Sequence, residues 1–261
     1  MDKLRIPGRI WLASDIHLGP DVPATCAAFL DFLGRARGQA DALLLCGDIF
    51  DAWIGDDLAV LEPAAWLAPI LQRLRELAQD TPLWLGRGNR DFLMGRTLAG
   101  HLGARLLPDT ARLDTDCGAV LLSHGDEYCT EDHAYQRFRR IVRNPTVQRL
   151  FLALGRGTRR AIARWARARS MSANRSKHSR IMDVSPQAVA AAYARSGVDL
   201  MVHGHTHRPA VHRIEVGARM RTRIVLPDWE CDHARPPRGG WLVIDREGPR
   251  LYGLSGEPIA G

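Results

Sequence analysis

Five apolar runs along the chain end alike, in a small residue or glycine followed by aspartate, asparagine or histidine. Residues 9–19 read RIWLASDIHLG, residues 41–51 DALLLCGDIFD, residues 82–91 PLWLGRGNRD, residues 119–126 AVLLSHGD and residues 199–207 DLMVHGHTH. Short apolar runs bounded by turn residues predict buried strands. Between them, residues 23–38 (PATCAAFLDFLGRARG) and 64–80 (AAWLAPILQRLRELAQD) repeat apolar positions at spacings of three and four and predict helices, the first closing on a glycine. Alternation of strand and helix predicts α/β layers. After His207 the helical spacing stops. AVHRIEVG, RMRTRIVLP and GGWLVIDREGPRLYGL, with a turn at DREG, predict a second, more antiparallel sheet.

Residues 133–180 interrupt this scheme. AYQRFRRIVRNP, TVQRLFLALG and TRRAIARWARARSMSANRSKH predict two or three helices, broken at Pro145 and at the GRG of 155–157. They form an expected helical cap, inserted between the fourth and fifth of the strands above, within one domain spanning 1–261. Charge makes this insertion distinctive. Between Arg137 and Arg180 stand thirteen arginines, one lysine and no acid, a local charge of +14 that leaves −7 on the rest of a chain whose total is +7.

Composition adds little more. At 46% hydrophobic and 25% charged residues the chain reads as soluble and globular, and no apolar run reaches the roughly 18 residues of a membrane span. The N-terminus lacks a basic segment followed by a long apolar one, so no signal peptide is expected. Cys26, Cys46, Cys117, Cys129 and Cys231 include no C-x-x-C pair and predict free thiols in a reducing cytosol.

Taken singly, an Asp after a strand is a turn or cap residue, and a lone His is a satisfied, half-buried side chain. Five such residues at five strand ends demand another explanation, because polar groups near a core are costly unless paired or coordinated. Asp15 and His17 lie two apart, as do His205 and His207, a spacing that strand periodicity turns to one side. In open α/β sheets the carboxyl ends of the strands gather where ligands bind. The candidate set is Asp15, His17, Asp48, Asn89, His124, His205 and His207. Seven N and O donors exceed one tetrahedral ion and suit two, with the two oxygens of Asp48 as the natural bridge. Two ions roughly 3.5–4 Å apart clamp a phosphoryl group, and mixed imidazole, carboxylate and amide donors favour Mn, Fe or Zn over Mg.

In this order DIH, GDIFD, GNRD, SHGD and GHTH resemble the five blocks of the calcineurin-like metallophosphoesterases. The resemblance implies a sandwich of two β-sheets flanked by helices. It also implies one ion on Asp15, His17 and His207 and another on Asn89, His124 and His205, with Asp48 between them. Many members carry His after the Asn; here that residue is Arg90, which cannot donate a proton near neutral pH. Its fork matches phosphate oxygens, so cleavage of P–O–P is favoured over phosphomonoester hydrolysis.

FDAWIGDD, GNRDFLMG, HGDEYCTEDHAYQRFR, SMSANRSKHSRIMDV and VHGHTHRPAVH further resemble the UDP-2,3-diacylglucosamine diphosphatases of lipid A synthesis, from about residue 10 to residue 213. That narrower resemblance implies a hydroxide, activated by two divalent ions (most fittingly Mn2+), attacking the uridylyl phosphorus to release UMP and 2,3-diacylglucosamine 1-phosphate. It implies a catalytic Arg90 and substrate contacts at Asn89, Arg90, Asp132, Ser170, Asn174, Lys177 and His205. It further implies a monomer at the cytoplasmic face of the inner membrane.

In the insertion, Phe138, Ile141, Leu150, Phe151, Leu154, Ile162 and Trp165 accompany the arginines. Basic amphipathic helices suit an anionic membrane surface and can enclose acyl chains; the plainer alternative is a cap packing its apolar side on the core. One rival is a nuclease that lays the basic helices on a phosphate backbone. A second is a binding module without catalysis, against which the complete ligand set speaks. A zinc site at Glu230–His233 needs more ligands than its surroundings offer.

Overall fold

In a computed structural model of the chain, residues 1–175 and 183–259 are described. They form two six-stranded sheets packed face to face, with helices on both outer sides. The first half runs β1 (Asp2–Arg5), β2 (Ile10–Ala13), α1 (Pro23–Ala36), β3 (Ala42–Cys46), α2 (Asp57–Val60), α3 (Ala68–Asp80), β4 (Leu83–Gly86), α4 (Arg96–Leu102) and β5 (Arg105–Leu106). Then follow β6 (Thr110–Thr115), β7 (Gly118–Ser123), α5 (His133–Val142), α6 (Pro145–Leu152), α7 (Arg156–Arg175) and α8 (Pro186–Ser196). The chain ends with β8 (Leu200–His203), β9 (Ala210–Val216), β10 (Arg219–Val225), β11 (Gly240–Asp245) and β12 (Gly248–Gly253). One sheet has the order β12-β11-β2-β3-β4-β5, the other β1-β6-β7-β8-β10-β9.

The period-2 alternation of strands sorts the apolar residues into layers. Ile10, Leu12, Leu44, Val120, Leu122, Val202 and Leu242 fill the space between the sheets. The intervening Trp11, Leu43, Leu45 and Val243 face α1 and α3, while Leu121 and Met201 pack on Val189 and Tyr193 of α8. Each such side chain removed from water contributes about 1.5–3 kcal/mol, so β2 and β3, buried on both faces, form the fixed frame. The helices match their sequence: α1 buries Phe29, Phe32, Leu33 and Ala36 and α3 buries Ile70, Leu71, Leu74 and Leu77, the spacing of one helical face.

The strands after His207 do not make a sheet of their own, contrary to expectation. β10 pairs in parallel with β8 and carries β9 along, whereas β11 pairs with β2 on the side away from β3. Packing decides the split: Ile224 joins the inter-sheet layer, and Trp241 stacks on Trp11 with ring centroids 4.9 Å apart.

β2, β3 and β4 are mutually parallel, as are β7, β8 and β10. The two sets end at one edge of the sandwich, where Gly204 N donates to His124 O (2.9 Å) and Asp15 N to Gly47 O (3.1 Å). Four helices, α5 to α8, stand between β7 and β8, and α5 to α7 lie in the basic insertion. Pro145 interrupts them by starting α6 at its first turn, where no N–H is needed; the Asn144 side chain caps the same turn, accepting from Thr146 N at 2.9 Å. All five cysteines are free.

Candidate metal centre

Asp15, His17, Asp48, His205 and His207 all have positive φ, between 51° and 68°, and among the described residues no other non-glycine residue does. The reading that strand periodicity turns each pair to one side is therefore corrected. Asp15 and His17 lie beyond β2, and His205 and His207 beyond β8. Their direction comes from left-handed backbone, which costs of order 1–3 kcal/mol per residue and persists only where the surroundings impose it.

Hydrogen bonds supply that constraint. His17 N donates to Asp48 O (3.0 Å) and Trp229 N to Asp15 O (3.0 Å), and His205 N donates to the Asp15 carboxylate at 2.9 Å. Asp91, fully buried, accepts from Ile49 N and Gly88 N at 2.7 Å each and from Asp48 N at 3.2 Å. One carboxylate thus ties the loop after β3 to the loop after β4. Gly88 completes the contact, because a side chain there would fall on Asp48.

This backbone brings the seven candidates together. His17 Nε2 lies 3.3 Å from His207 Nε2, which is 3.4 Å from an Asp15 oxygen. Asn89 Oδ1 lies 3.0 Å from His124 Nε2 and 2.8 Å from His205 Nδ1. Asp48 stands between the halves, one oxygen 3.8 Å from His17 Nδ1 and the other 3.7 Å from His124 Nε2. Among the described residues, donors converge as two groups that share Asp15: Asp15–His17–His207 and Asp15–Asp48–His124.

Electrostatics fit cations at this place. Burial pushes His17 down to about 3 and His205 down to about 4, leaving the neutral imidazoles that metal ligation requires. Burial would raise Asp15, yet the hydrogen bond from His207 and the positive charge of neighbouring histidines hold it well below the usual carboxylate range. Burial pushes Asp48 up to about 7 against the pull of His124, with Asp91 and Asp15 adding repulsion. Burial also disfavours charge on His124, but Asp48, Asp15, Asp126 and Asp91 outweigh it and push it up to about 9. Negative charge is thus in excess and draws in a proton where a divalent ion would serve better. The buried His17 Nδ1 has no hydrogen-bond partner, and the donor set offers imidazole, carboxylate and amide with no thiolate. The residues fit two divalent ions.

The remaining candidates lie around this cluster. Arg90 N donates to Asp48 at 2.8 Å, while its guanidinium pairs with Asp51 at 3.0 Å. The same Asp51 also takes Arg167 of α7. Asp132 caps α5, accepting from Tyr135 N at 3.0 Å. Ser170 and Asn174 fall in the last turns of α7, and Lys177 lies outside the described residues. His203 is buried behind the site, 2.9 Å from Gly204 O and 3.0 Å from Arg223. In the Glu230–His233 stretch, Glu230 accepts from two main-chain N–H groups and Asp232 caps α1, a turn rather than a zinc site.

Sequence reasoning missed Asp91, Asp126 and Tyr135. Tyr135 of α5 lays its ring over His205, centroids 6.0 Å apart, and its hydroxyl donates to the buried Asp126, which also takes Arg139 at 2.7 Å. Asp91 and Asp126 stand inside the quoted motifs, so an acid in each was visible; its burial was not.

The sequence pattern of the family described as calcineurin-like phosphoesterase matches residues 8–209, which contain every candidate ligand. The chain is 58% identical over 254 residues to the UDP-2,3-diacylglucosamine hydrolase of Bordetella parapertussis, covering 97% of this chain and 98% of that one. It is 45% identical to the protein of that name from Serratia proteamaculans, covering 84% and 90%. With that from Chromobacterium violaceum it shares 42% identity, covering 94% and 98%. These matches and the two-sheet sandwich agree: the chain is a metal-dependent hydrolase that belongs to the calcineurin-like phosphoesterases and, within them, to the family of the UDP-2,3-diacylglucosamine hydrolases.

Proposed function

We propose that the protein hydrolyses the diphosphate bond of UDP-2,3-diacylglucosamine, giving UMP and 2,3-diacylglucosamine 1-phosphate in lipid A biosynthesis. The observation that carries this reading is the position of Arg90, one residue after a candidate ligand and bonded through its main chain to Asp48. A phosphate leaves as a stable anion, so the site needs a cation at this place more than a general acid. Asp15, His17 and His207 would hold one divalent ion and Asn89, His124 and His205 the other, with Asp48 placed between them; Mn2+ would suit the donors best. When bound, such ions polarise phosphoryl oxygens and lower the pKa of water.

The chain's own residues do the rest. Asp91 and the left-handed backbone hold the donors at fixed separations, which removes reorganisation from the barrier. Arg90 turns from Asp51 to the diphosphate oxygens, leaving Asp51 to Arg167. Asn89, His205, Asp132, Ser170, Asn174 and Lys177 complete the substrate contacts.

In this reading helices α5 to α7 form a cap for the acyl chains and rest against the cytoplasmic face of the inner membrane. Leu150, Trp165 and Ile141 are 68%, 64% and 57% exposed, beside the exposed Arg140, Arg149, Arg160, Arg164 and Arg169. No helix among the described residues is long and apolar enough to cross a membrane. In this reading the contact is peripheral and the protein acts as a monomer.

Incubation with UDP-2,3-diacylglucosamine and Mn2+, with products identified by mass, tests the reading. UMP and the sugar phosphate are expected, with oxygen from labelled water in UMP. No turnover, together with salt-sensitive cutting of DNA or RNA, would replace the reading with a nuclease. Label found only in the sugar phosphate would move the attack to the other phosphorus.

A further inference from the structure

The segment joining β10 to β11 lies beyond every block that carries a ligand candidate, yet it reaches the centre. His207 is the most exposed ligand candidate on the Asp15–His17 side, its side chain 38% exposed. Its Nε2 faces Asp15 and His17, and its Nδ1 lies 3.5 Å from Asp228 Oδ2. Asp228 is only 3% exposed, and a carboxylate so placed requires partners. Arg238 supplies one, donating from two nitrogens to the same oxygen at 2.8 and 3.0 Å.

Asp228 is also held firmly on both chain sides. Leu226 N donates to His203 O at 2.7 Å, continuing the pairing of β10 with β8. Trp229 is buried edge-on against Phe29 and Phe32, and its main-chain N–H donates to Asp15 O. The segment therefore touches two candidate ligands of one proposed ion, Asp15 through main chain and His207 through a carboxylate.

A neutral imidazole carries its proton on one nitrogen only. Without an ion, Nε2 can donate to Asp15 at 3.4 Å; when an ion takes the Nε2 lone pair, the proton must sit on Nδ1, where the Asp228 carboxylate accepts it. We propose that Asp228, steadied by Arg238, is a positioning residue that sets the tautomer and ring direction of His207 for the Asp15–His17 ion.

This inference rests on the two-ion reading of the centre, and one titration separates the two. Metal-stripped protein is titrated with Mn2+ calorimetrically, and the imidazole 15N shifts of His207 are recorded with diamagnetic Zn2+ in its place. Wild type is expected to bind two ions, with His207 ligating through Nε2 and carrying its proton on Nδ1. Asp228→Ala, which removes the acceptor facing Nδ1, is expected to bind one ion normally and the other roughly 10–100-fold more weakly. Its His207 shifts should retain a share of unligated ring at Zn2+ levels that saturate wild type, while the metal-free melting temperature stays near wild type. Asp228→Asn, whose amide oxygen Arg238 keeps towards Nδ1, should recover most of the affinity. Should Asp228→Ala fail to fold, Arg238→Gln decides, with several-fold weakening of a single ion expected. Two ions bound with wild-type affinity in Asp228→Ala would overturn the inference. So would equal loss of both ions with a lowered metal-free melting temperature. Wild type taking up no Mn2+ would overturn the centre, and the inference with it.

Discussion

The ligand loops and the helices beside them are fastened to the same sandwich by opposite means. In the loops, fully buried acids accept main-chain N–H groups and five residues sit in left-handed backbone. α5 and α6 bury no residue at all, and their attachment, with that of α7, runs through arginines. Arg139 goes to Asp126, Arg143 to Asp109, Arg156 and Arg159 to Asp57, and Arg167 to Asp51. The +14 of the insertion is thus partly met by the acid-rich remainder. Geometry that must not move is held by buried hydrogen bonds. The helices are held by ion pairs of mixed depth: Arg143–Asp109, Arg156–Asp57 and Arg167–Asp51 are half-exposed and contribute about 0–1 kcal/mol each, while Asp126 and Arg159 are buried.

The strongest way to break that contrast is at its rigid end. Asp48→Ala removes the carboxylate that reaches both halves. Hydrolysis is expected to fall by roughly a thousandfold or more, several kcal/mol of barrier, and metal analysis should show fewer than two ions per chain. Next comes Asp91→Asn, which turns an amide N–H towards donors that need an acceptor. The expected loss is about 2–3 kcal/mol, read as a melting temperature lower by roughly 5–10 °C.

The cap side should respond differently. Asp57→Asn leaves Arg159, 4% exposed, without its counter-charge. Limited proteolysis within residues 133–175 should quicken severalfold, while bound metal stays unchanged. The smallest effect sharpens the comparison without a mutation. Raising salt from 0.1 to 1 M shortens the screening length from about 10 to about 3 Å. Hydrogen exchange should then rise in α5 to α7 and stay the same in residues 46–51 and 86–91. Equal changes in both regions would erase the distinction.

The convergence of the candidate donors was legible because each follows an apolar run, and apolar runs are what sequence shows best. The left-handed backbone was not: Asp and His adopt it more readily than most residues, yet rarely enough that only the hydrogen bonds between the loops fix it here. Asp91 reads as a turn residue until the loops after β3 and β4 close around it. β1, β5 and β6, written DKLR, RL and TARLDT, are too short or too polar to stand out. The charge of the insertion was plain, but its partners Asp51, Asp57, Asp109 and Asp126 lie far along the chain, where no local pattern joins them. Asp228 sits in a segment without periodicity, so its place beside His207 became visible only in three dimensions.

Four candidate ligands hang from the β2–β3–β4 sheet and three from the β7–β8 sheet. In the proposed centre neither sheet alone could hold either ion. In that centre the ions would act as rivets across the open edge of the sandwich, reinforcing a seam that His205 N already closes by donating to Asp15 at 2.9 Å. Catalysis and structural closure would then depend on the same atoms.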